Sequence, residues 1–414
     1  MEIEDKIPRK PEDRRRSKPL AQVVFSIMLI GGASTFFSDP CLGQEEQQVK
    51  EPPNVQKTAT QAEQSTKPAQ TEAQPKKKEK KPPRGALVVV PIPMSSPAVG
   101  SGLVPAVGYI FPFSMKDKIS PPSVIGGGAL ITNNGSRFFA FGGQLYLKEN
   151  RYRITAAYGR GNINYDIYGS GIAEGHQLPL KQTGQIIFGE FLRRVAWKFF
   201  VGPQVISGKS TITLRPSEDS TVPIPPELGI HTTLNAVGIK VYRDTVPNRF
   251  YPTGGTSFNF TADFYAKGLG SKFSFQSYKA TFNKYWSVDQ KQVLAYNAYA
   301  CGTGGRPPFY ANCIYGTSNE LRGYTAGRYF TRYMLATQLE YRLTLPWRLG
   351  LVGFGGLGGV IPGESQLYGS RKFLPATGGG LRFLLSKQYH VNFALTFGIG
   401  RDGHTFGMGI GEAF

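Results

Sequence analysis

The sequence predicts an all-β fold: a transmembrane antiparallel β-barrel of about sixteen strands, preceded by a disordered N-terminal region. Three observations predict it. After Arg84, segments of about 10 to 14 residues carry apolar side chains at every second position, and turns rich in Gly, Asn, Asp, Ser and Pro separate them, which is the period of a strand and not of a helix. One face of each segment is too polar for a sandwich core, and no amphipathic helix is available to cover the other. Hydrocarbon outside and a polar lumen inside satisfy both faces, and closure pairs every backbone group without water. Finally, the connections alternate between long and short, as they do where an even number of strands returns both termini to one side.

The elements follow in order. Residues 1–43 read as a secretory signal, with Arg14-Arg15-Arg16-Ser17-Lys18 ahead of an apolar run from Pro19 to about Ala33 and small residues that make a cut before Gln44 plausible. Ser38-Asp39-Pro40-Cys41 is a poor lipobox, which leaves lipidation of Cys41 as the weaker alternative. Residues 44–84 are Gln, Glu, Thr, Pro and Lys with almost no large apolar side chain, so nothing there offsets the entropy of ordering, and a disordered periplasmic tether is expected. Its basic run, Lys76 to Lys81, reads as solvated and receives no site.

Residues 85–414 form the barrel. In the segment 255–267, Phe258, Phe260, Ala262 and Phe264 fall on one face, with Ser257, Asn259, Thr261 and Asp263 on the other. In the segment 334–345, Leu335, Thr337, Leu339, Tyr341 and Leu343 face outward, while Gln338, Glu340 and Arg342 face the lumen. Long connections are expected at Arg160 to Gln182, Gly208 to Ile230, Gly302 to Thr331 and Ile361 to Phe373, all on the outer side. Short turns are expected between them, at Lys148-Glu149-Asn150, Arg193-Arg194, Ser287 to Lys291, Leu345 to Arg348 and Ser386 to Gln388. Phe406, Met408, Ile410 and Phe414 share a face of the last segment.

Composition excludes several classes of function. No run approaches the roughly 20 apolar residues of a membrane helix. The formal charge of +20 is scattered and lacks a nucleic-acid-binding module, so no nucleic-acid partner is expected. With 3 Cys and 4 His at no ligand spacing, no metal or other cofactor is implied. No Gly-x-Ser-x-Gly elbow occurs, and the Gly-x-Gly-x-x-Gly matches at Gly353 to Gly358 and Gly398 to Gly403 open no βαβ unit, so the chain does not read as an enzyme. Cys301 and Cys313 flank a short stretch of an exported chain whose third cysteine leaves with the signal, and a disulfide between them is expected.

Residues 306–330, RPPFYANCIYGTSNELRGYTAGRYF, with Arg243 to Phe258, Gly378 to Phe383 and the closing GIGEAF, resemble the BamA/TamA superfamily of outer-membrane barrels, also called the surface-antigen family. The resemblance implies that the loop carrying Leu321, Arg322, Gly323 and Tyr324 folds back into the lumen and that Arg322 docks on Glu340. It also implies that the aromatic end at Phe414 serves as the signal read by the barrel-assembly machinery. Two departures stand out: Gly356 occupies the place of a second carboxylate, and Ala394 and Thr396 occupy places of charged lumen residues.

Family members of the assembly class insert or translocate clients through a weak seam between first and last strands. Here Pro91 and Pro93 remove ladder donors in the first strand, opposite Gly407, Gly409 and Gly411 in the last, so a weak lateral seam is expected. The expected function is insertion or translocation of an unfolded protein or a lipid, with outer-membrane lipids as surroundings. The alternative is a passive loop-plugged pore for small, anionic solutes.

Overall fold

In the computed structural model, described for residues 85–96, 99–117, 119–168, 177–215, 229–316, 320–325, 329–361, 372–387, 390–401 and 403–414, the chain closes into an antiparallel barrel. The expected signal, tether and basic run therefore lie outside the described residues. The strands are β1 (Ala86–Ser96), β2 (Gly100–Phe111), β3 (Ser123–Thr132), β4 (Arg137–Leu147), β5 (Tyr152–Tyr168), β6 (Gln177–Arg194), β7 (Phe199–Leu214), β8 (Ile230–Asp244) and β9 (Gly255–Tyr265). They continue with β10 (Phe275–Ser287), β11 (Gln292–Gly305), β12 (Cys313–Ile314), β13 (Phe330–Thr331), β14 (Tyr333–Thr344), β15 (Leu349–Ile361), β16 (Lys372–Ser386), β17 (Val391–Gly400) and β18 (Gly403–Ile410). Sixteen of them form the wall, each paired with its neighbour in sequence, while β12 and β13 make a separate two-stranded ribbon between β11 and β14.

The faces follow the alternation. On β14, Leu335, Leu339 and Tyr341 are exposed on the outer face, whereas Gln338, Glu340 and Arg342 are buried in the lumen. On β9, Phe264 is exposed while Thr261 and Asp263 are buried. Exposed Leu, Ile, Val and Phe recur around the whole wall, far beyond the few hundred Å² of apolar patch that a water-soluble surface carries, so the wall faces hydrocarbon. All three tryptophans lie at one end: Trp197 in the β6–β7 turn, Trp286 near the end of β10 and Trp347 in the β14–β15 turn. Trp197 and Trp347 are 83% and 93% exposed, as side chains that anchor at a membrane interface should be.

Two expectations about connections need correction. β5 and β6 stay paired as far as Tyr168 opposite Gln177, and β7 runs to Leu214, so much of Arg160 to Gln182 and the start of Gly208 to Ile230 are strand. The alternation simply continues there with polar outward residues: Ile163, Leu180 and Ile212 are buried inside, and backbone pairing does not require lipid. At the short-turn end, residues 112–122 and 245–254 are longer than expected. The second of these turns inward, with Tyr251 buried, its ring stacked on His390 at 5.0 Å between centroids, and its hydroxyl 3.0 Å from Thr344 Oγ1.

Closure is uneven. β1 lies against β2 from Ala86 opposite Ile110 to Ser96 opposite Gly100, but among the described residues its register with β18 rests on Ser95 opposite Met408. Pro91 stands opposite Pro105, and since neither can donate, this is a non-hydrogen-bonded pair of the β1–β2 ladder. The backbone of Pro91, and of Pro93 at the same parity, therefore faces β18 with no N–H to offer.

Candidate functional site

The β11–β14 connection folds into the lumen because its sequence alternates large aromatics with polar anchors that the wall can receive. The first half is tied at its base by the disulfide between Cys301 on β11 and Cys313 on β12, with Cα atoms 5.9 Å apart. Tyr310 and Ala311 pack with Leu180, Ile212 and Phe275, an apolar plug above the polar lumen. The Tyr315 hydroxyl donates to the carbonyl of Leu335 and accepts from the Gly359 N–H at 3.1 Å. In the chain-entropy account, closing a loop of this length stabilises by roughly 3 kcal/mol, mostly against the unfolded chain. Replacing Cys301 and Cys313 by Ser is therefore expected to raise loop proteolysis and lower the heat-modification temperature in gels, and thiol labelling of the unreduced parent should find both cysteines unreactive.

Leu321 to Tyr324 then lie against the inner wall. Leu321 sits where any side chain at Gly356 or Gly358 would collide: a Cβ at those positions would come within 2.8 and 2.7 Å of its methyl groups. This gives a physical reason for the absent carboxylate at Gly356, since the space it would need is filled by Leu321. Gly323 has φ +105°, and a Cβ there would lie 2.8 Å from the Ile399 carbonyl carbon, so the residue must be glycine for the loop to touch β17. Its N–H donates to Thr405 Oγ1 at 3.1 Å. Tyr324 donates to the Pro375 carbonyl at 2.6 Å and accepts from the Arg401 N–H at 3.2 Å.

Arg322 is held on several sides. Its Nη1 donates to Glu340 Oε2 at 2.5 Å, its Nε donates to Gln338 Oε1 at 3.2 Å, and its guanidinium lies 3.6 Å from the centroid of the Phe354 ring. Gln338 also donates through Nε2 to the Glu320 carbonyl at 2.9 Å, which fixes the backbone just ahead of the arginine. Glu340 is fully buried, and its second oxygen accepts from Arg342 Nε at 2.6 Å.

From there the network extends to the end of the chain. Arg342 donates to the main-chain oxygen of Phe414 at 2.9 Å and to the Pro252 carbonyl of the inward-turned connection at 3.2 Å. Glu412 accepts from Arg382 Nε at 2.8 Å and from Asn392 Nδ2 at 2.8 Å, and lies 3.8 Å from Arg342 Nε. The alternation expected to keep Phe414 on one face with Phe406, which is exposed on the outside, stops at Gly411, whose φ of +91° turns the tail inward. The Phe414 ring stands 5.5 Å from the Arg322 guanidinium instead.

The loop tetrad and Glu340 are thus brought together, Cys301 meets Cys313, and Phe414 joins them, whereas Pro91, Pro93, Gly407 and Gly409 stay in the wall on either side of the β1–β18 closure. Sequence reasoning put Gln338 and Arg342 on the polar face without assigning them a role, and it missed Arg382 and Glu412 altogether. Their only signal was charge: Arg382 at an inward position of a strand that otherwise reads as membrane-facing, and Glu412 in the tail just past β18. Around Arg322, the described charges are those of Glu340, Arg342, Arg382 and Glu412.

No curated protein matches the chain in sequence. Among solved structures, the barrel is similar to BamA from Haemophilus ducreyi lacking POTRA domains 1–3, with 14% identity, a TM-score of 0.55 and coverage of 79% of this chain and 69% of that one. It is also similar to CdiB from Escherichia coli, with 13% identity, a TM-score of 0.53 and coverage of 78% of this chain and 62% of that one. CdiB from Acinetobacter baumannii gives 12%, 0.52, and 78% and 58%. The chain therefore spans less than two thirds of either CdiB, and at these identities the likeness is one of fold. The Omp85 superfamily domain matches residues 134–414, more than half of the sequence, so the chain belongs to the Omp85 superfamily.

Proposed function

We propose that this barrel resides in the bacterial outer membrane and inserts or translocates an unfolded protein or a lipid by parting the wall between β1 and β18. The observation that carries the reading is the closure itself, with Ser95 opposite Met408 and two prolines facing β18 without donors. Superfamily membership supports it. In this reading the lock on Arg322 and the seam share a part: Glu412 and Phe414 follow β18 directly and are held by Arg382 and Arg342, with Arg322 beside the ring. A loop that withdraws Arg322 would then loosen the tail of the seam strand as well. Leu321, Arg322, Gly323, Tyr324 and Glu340 act as the latch, with no catalytic step.

A passive pore for anions is the competing reading, favoured by three arginines against two glutamates in the ion-paired network around Arg322 among the described residues. The inserted loop and the inward-turned residues 245–254 weigh against steady conduction. Reconstitution of the purified barrel into liposomes separates the two. Insertion activity is expected as faster folding of an unfolded barrel client than in empty liposomes, with closed-state conductance near the baseline. Steady conductance without any gain in client folding would establish the pore.

A further inference from the structure

Outward-facing residues of β4 to β8 change character along one line. On its hydrocarbon side stand Phe139, Tyr158, Ile187, Val205 and Val237, one per strand, with Tyr158 opposite Ile187 and Val205 opposite Val237. The next outward positions toward the long-connection end are Arg137, Arg160, Gln185, Ser207 and Asn235. Arg160 lies opposite Gln185, Gln185 opposite Lys209, and one outward row beyond the next, Lys181 lies opposite Thr213. Arg137, Arg160, Lys181 and Lys209 are all exposed. Strands neighbour one another at roughly 4.8 Å, so Arg160 and Lys209 stand about 10 Å apart at the backbone and their side chains can bracket one phosphate or bind two.

These cations are not consumed by the protein. Among the described residues, the side chains of Arg137, Arg160, Lys181 and Lys209 have no acidic partner, while Asp166 on the same face is paired with Arg215 at 2.5 Å. Above the line the face stays polar through Asn162, Thr183 and Thr211. From Arg160 to Asp166 the strand runs roughly 20 Å at about 3.3 Å per residue, which is about 15 Å along the membrane normal at a strand tilt of roughly 40°, beyond the interfacial layer of a glycerophospholipid leaflet, which is roughly 5 to 8 Å deep. Arg160 and Lys209 at the edge of an apolar band, with Lys181 about 13 Å further along β6 amid hydroxyls and amides, fit a lipid with acyl chains below and a phosphorylated sugar head group above.

We propose that the outer face of β4 to β8 binds a phosphorylated glycolipid of the outer leaflet, with Arg160, Lys181 and Lys209 on its phosphates. This rests on the reading of the chain as an outer-membrane barrel whose long connections face outward. The probe is diphosphoryl lipid A titrated into the full mature protein in detergent and read by native mass spectrometry, with monophosphoryl lipid A and phosphatidylglycerol alongside. Diphosphoryl lipid A is expected to bind most tightly, and Arg160→Gln/Lys181→Gln/Lys209→Gln to weaken it by about tenfold or more, since each cation near an anionic surface contributes several-fold. Lys116→Gln/Lys291→Gln/Lys387→Gln, which removes equal charge at the short-turn end, is expected to change little.

Equal losses in the two triple variants would show that only net charge is sensed, and phosphatidylglycerol binding as tightly as lipid A would remove the glycolipid assignment; either result overturns the proposal. If the triple variant fails to fold, the single variants, each checked by heat-modifiability, must show partial losses or the assignment falls. Orientation is read separately, with Thr183→Cys and a membrane-impermeant maleimide on intact cells. Labelling supports the outer leaflet, whereas protection with lipid binding intact would locate the failure in the orientation and not in the site.

Discussion

Arg322→Ala is expected to free the β11–β14 loop while the barrel stays folded, seen as proteinase K cleavage of the loop rising by about tenfold or more, with heat-modifiability retained. Breaking a buried ion pair by removing one partner costs roughly 3 to 5 kcal/mol in a dry interior. Here Glu340 keeps Arg342 at 2.6 Å, which puts Arg322→Ala at or below the lower end of that range. Glu340→Ala should cost more, because it leaves two guanidinium groups without their shared carboxylate and Arg342 with Glu412 only at 3.8 Å. Arg322→Lys should fall between, since an ammonium can reach Glu340 but cannot lie flat on Phe354 or serve Gln338 at the same time. If both alanine variants leave the loop as protected as in the parent, the latch reading is wrong and the pair is merely structural filling.

Cross-linking the seam is expected to abolish client insertion. Ser95 and Met408 are direct partners, and Ser95 shares the parity of Pro91, so the pair lies on the hydrogen-bonded side of the β1–β18 closure, where opposed Cα atoms are about 5.5 Å apart. That separation suits a disulfide. Ser95→Cys/Met408→Cys should therefore oxidise readily and lose nearly all insertion activity in liposomes, then recover it with reductant. Phe397→Cys/Phe406→Cys, an opposed pair between β17 and β18, should keep its activity when oxidised, because that interface has no reason to open. Since reductant also reaches Cys301 and Cys313, the single variants treated in the same way are the comparison. Full activity of the cross-linked Ser95/Met408 barrel would rule out lateral opening.

Much of the molecule was determined locally and is legible in the sequence. Period-two alternation sets which residues of each strand see lipid, and the fold class follows once no helix can cover the apolar face; Leu339 outward beside Glu340 inward needs no tertiary information. Where strands end was less legible. β5 to β8 continue past the membrane because polar outward residues such as Arg160, Lys181 and Lys209 still alternate with buried Ile163, Leu180 and Ile212, and composition alone makes such a stretch look like a loop.

Beyond Glu340, which the resemblance named, only the tertiary structure decided what surrounds Arg322. Glu340 lies 18 positions away in sequence, but Phe354 and Phe414 come from another strand and from the tail, and Arg382 and Glu412 are linked to Glu340 only through Arg342. Register and curvature bring them to one height of one lumen, and no local pattern encodes that distance. The inward turn at Gly411 is of the same kind: a single positive φ, stabilised by Glu412 finding Arg382 across the wall, removes Phe414 from the face it was expected to share with Phe406. Side-chain direction within a strand is a property of the backbone repeat, whereas partnership across a closed barrel depends on how all sixteen strands are sheared against one another, and that is settled only when the ring closes.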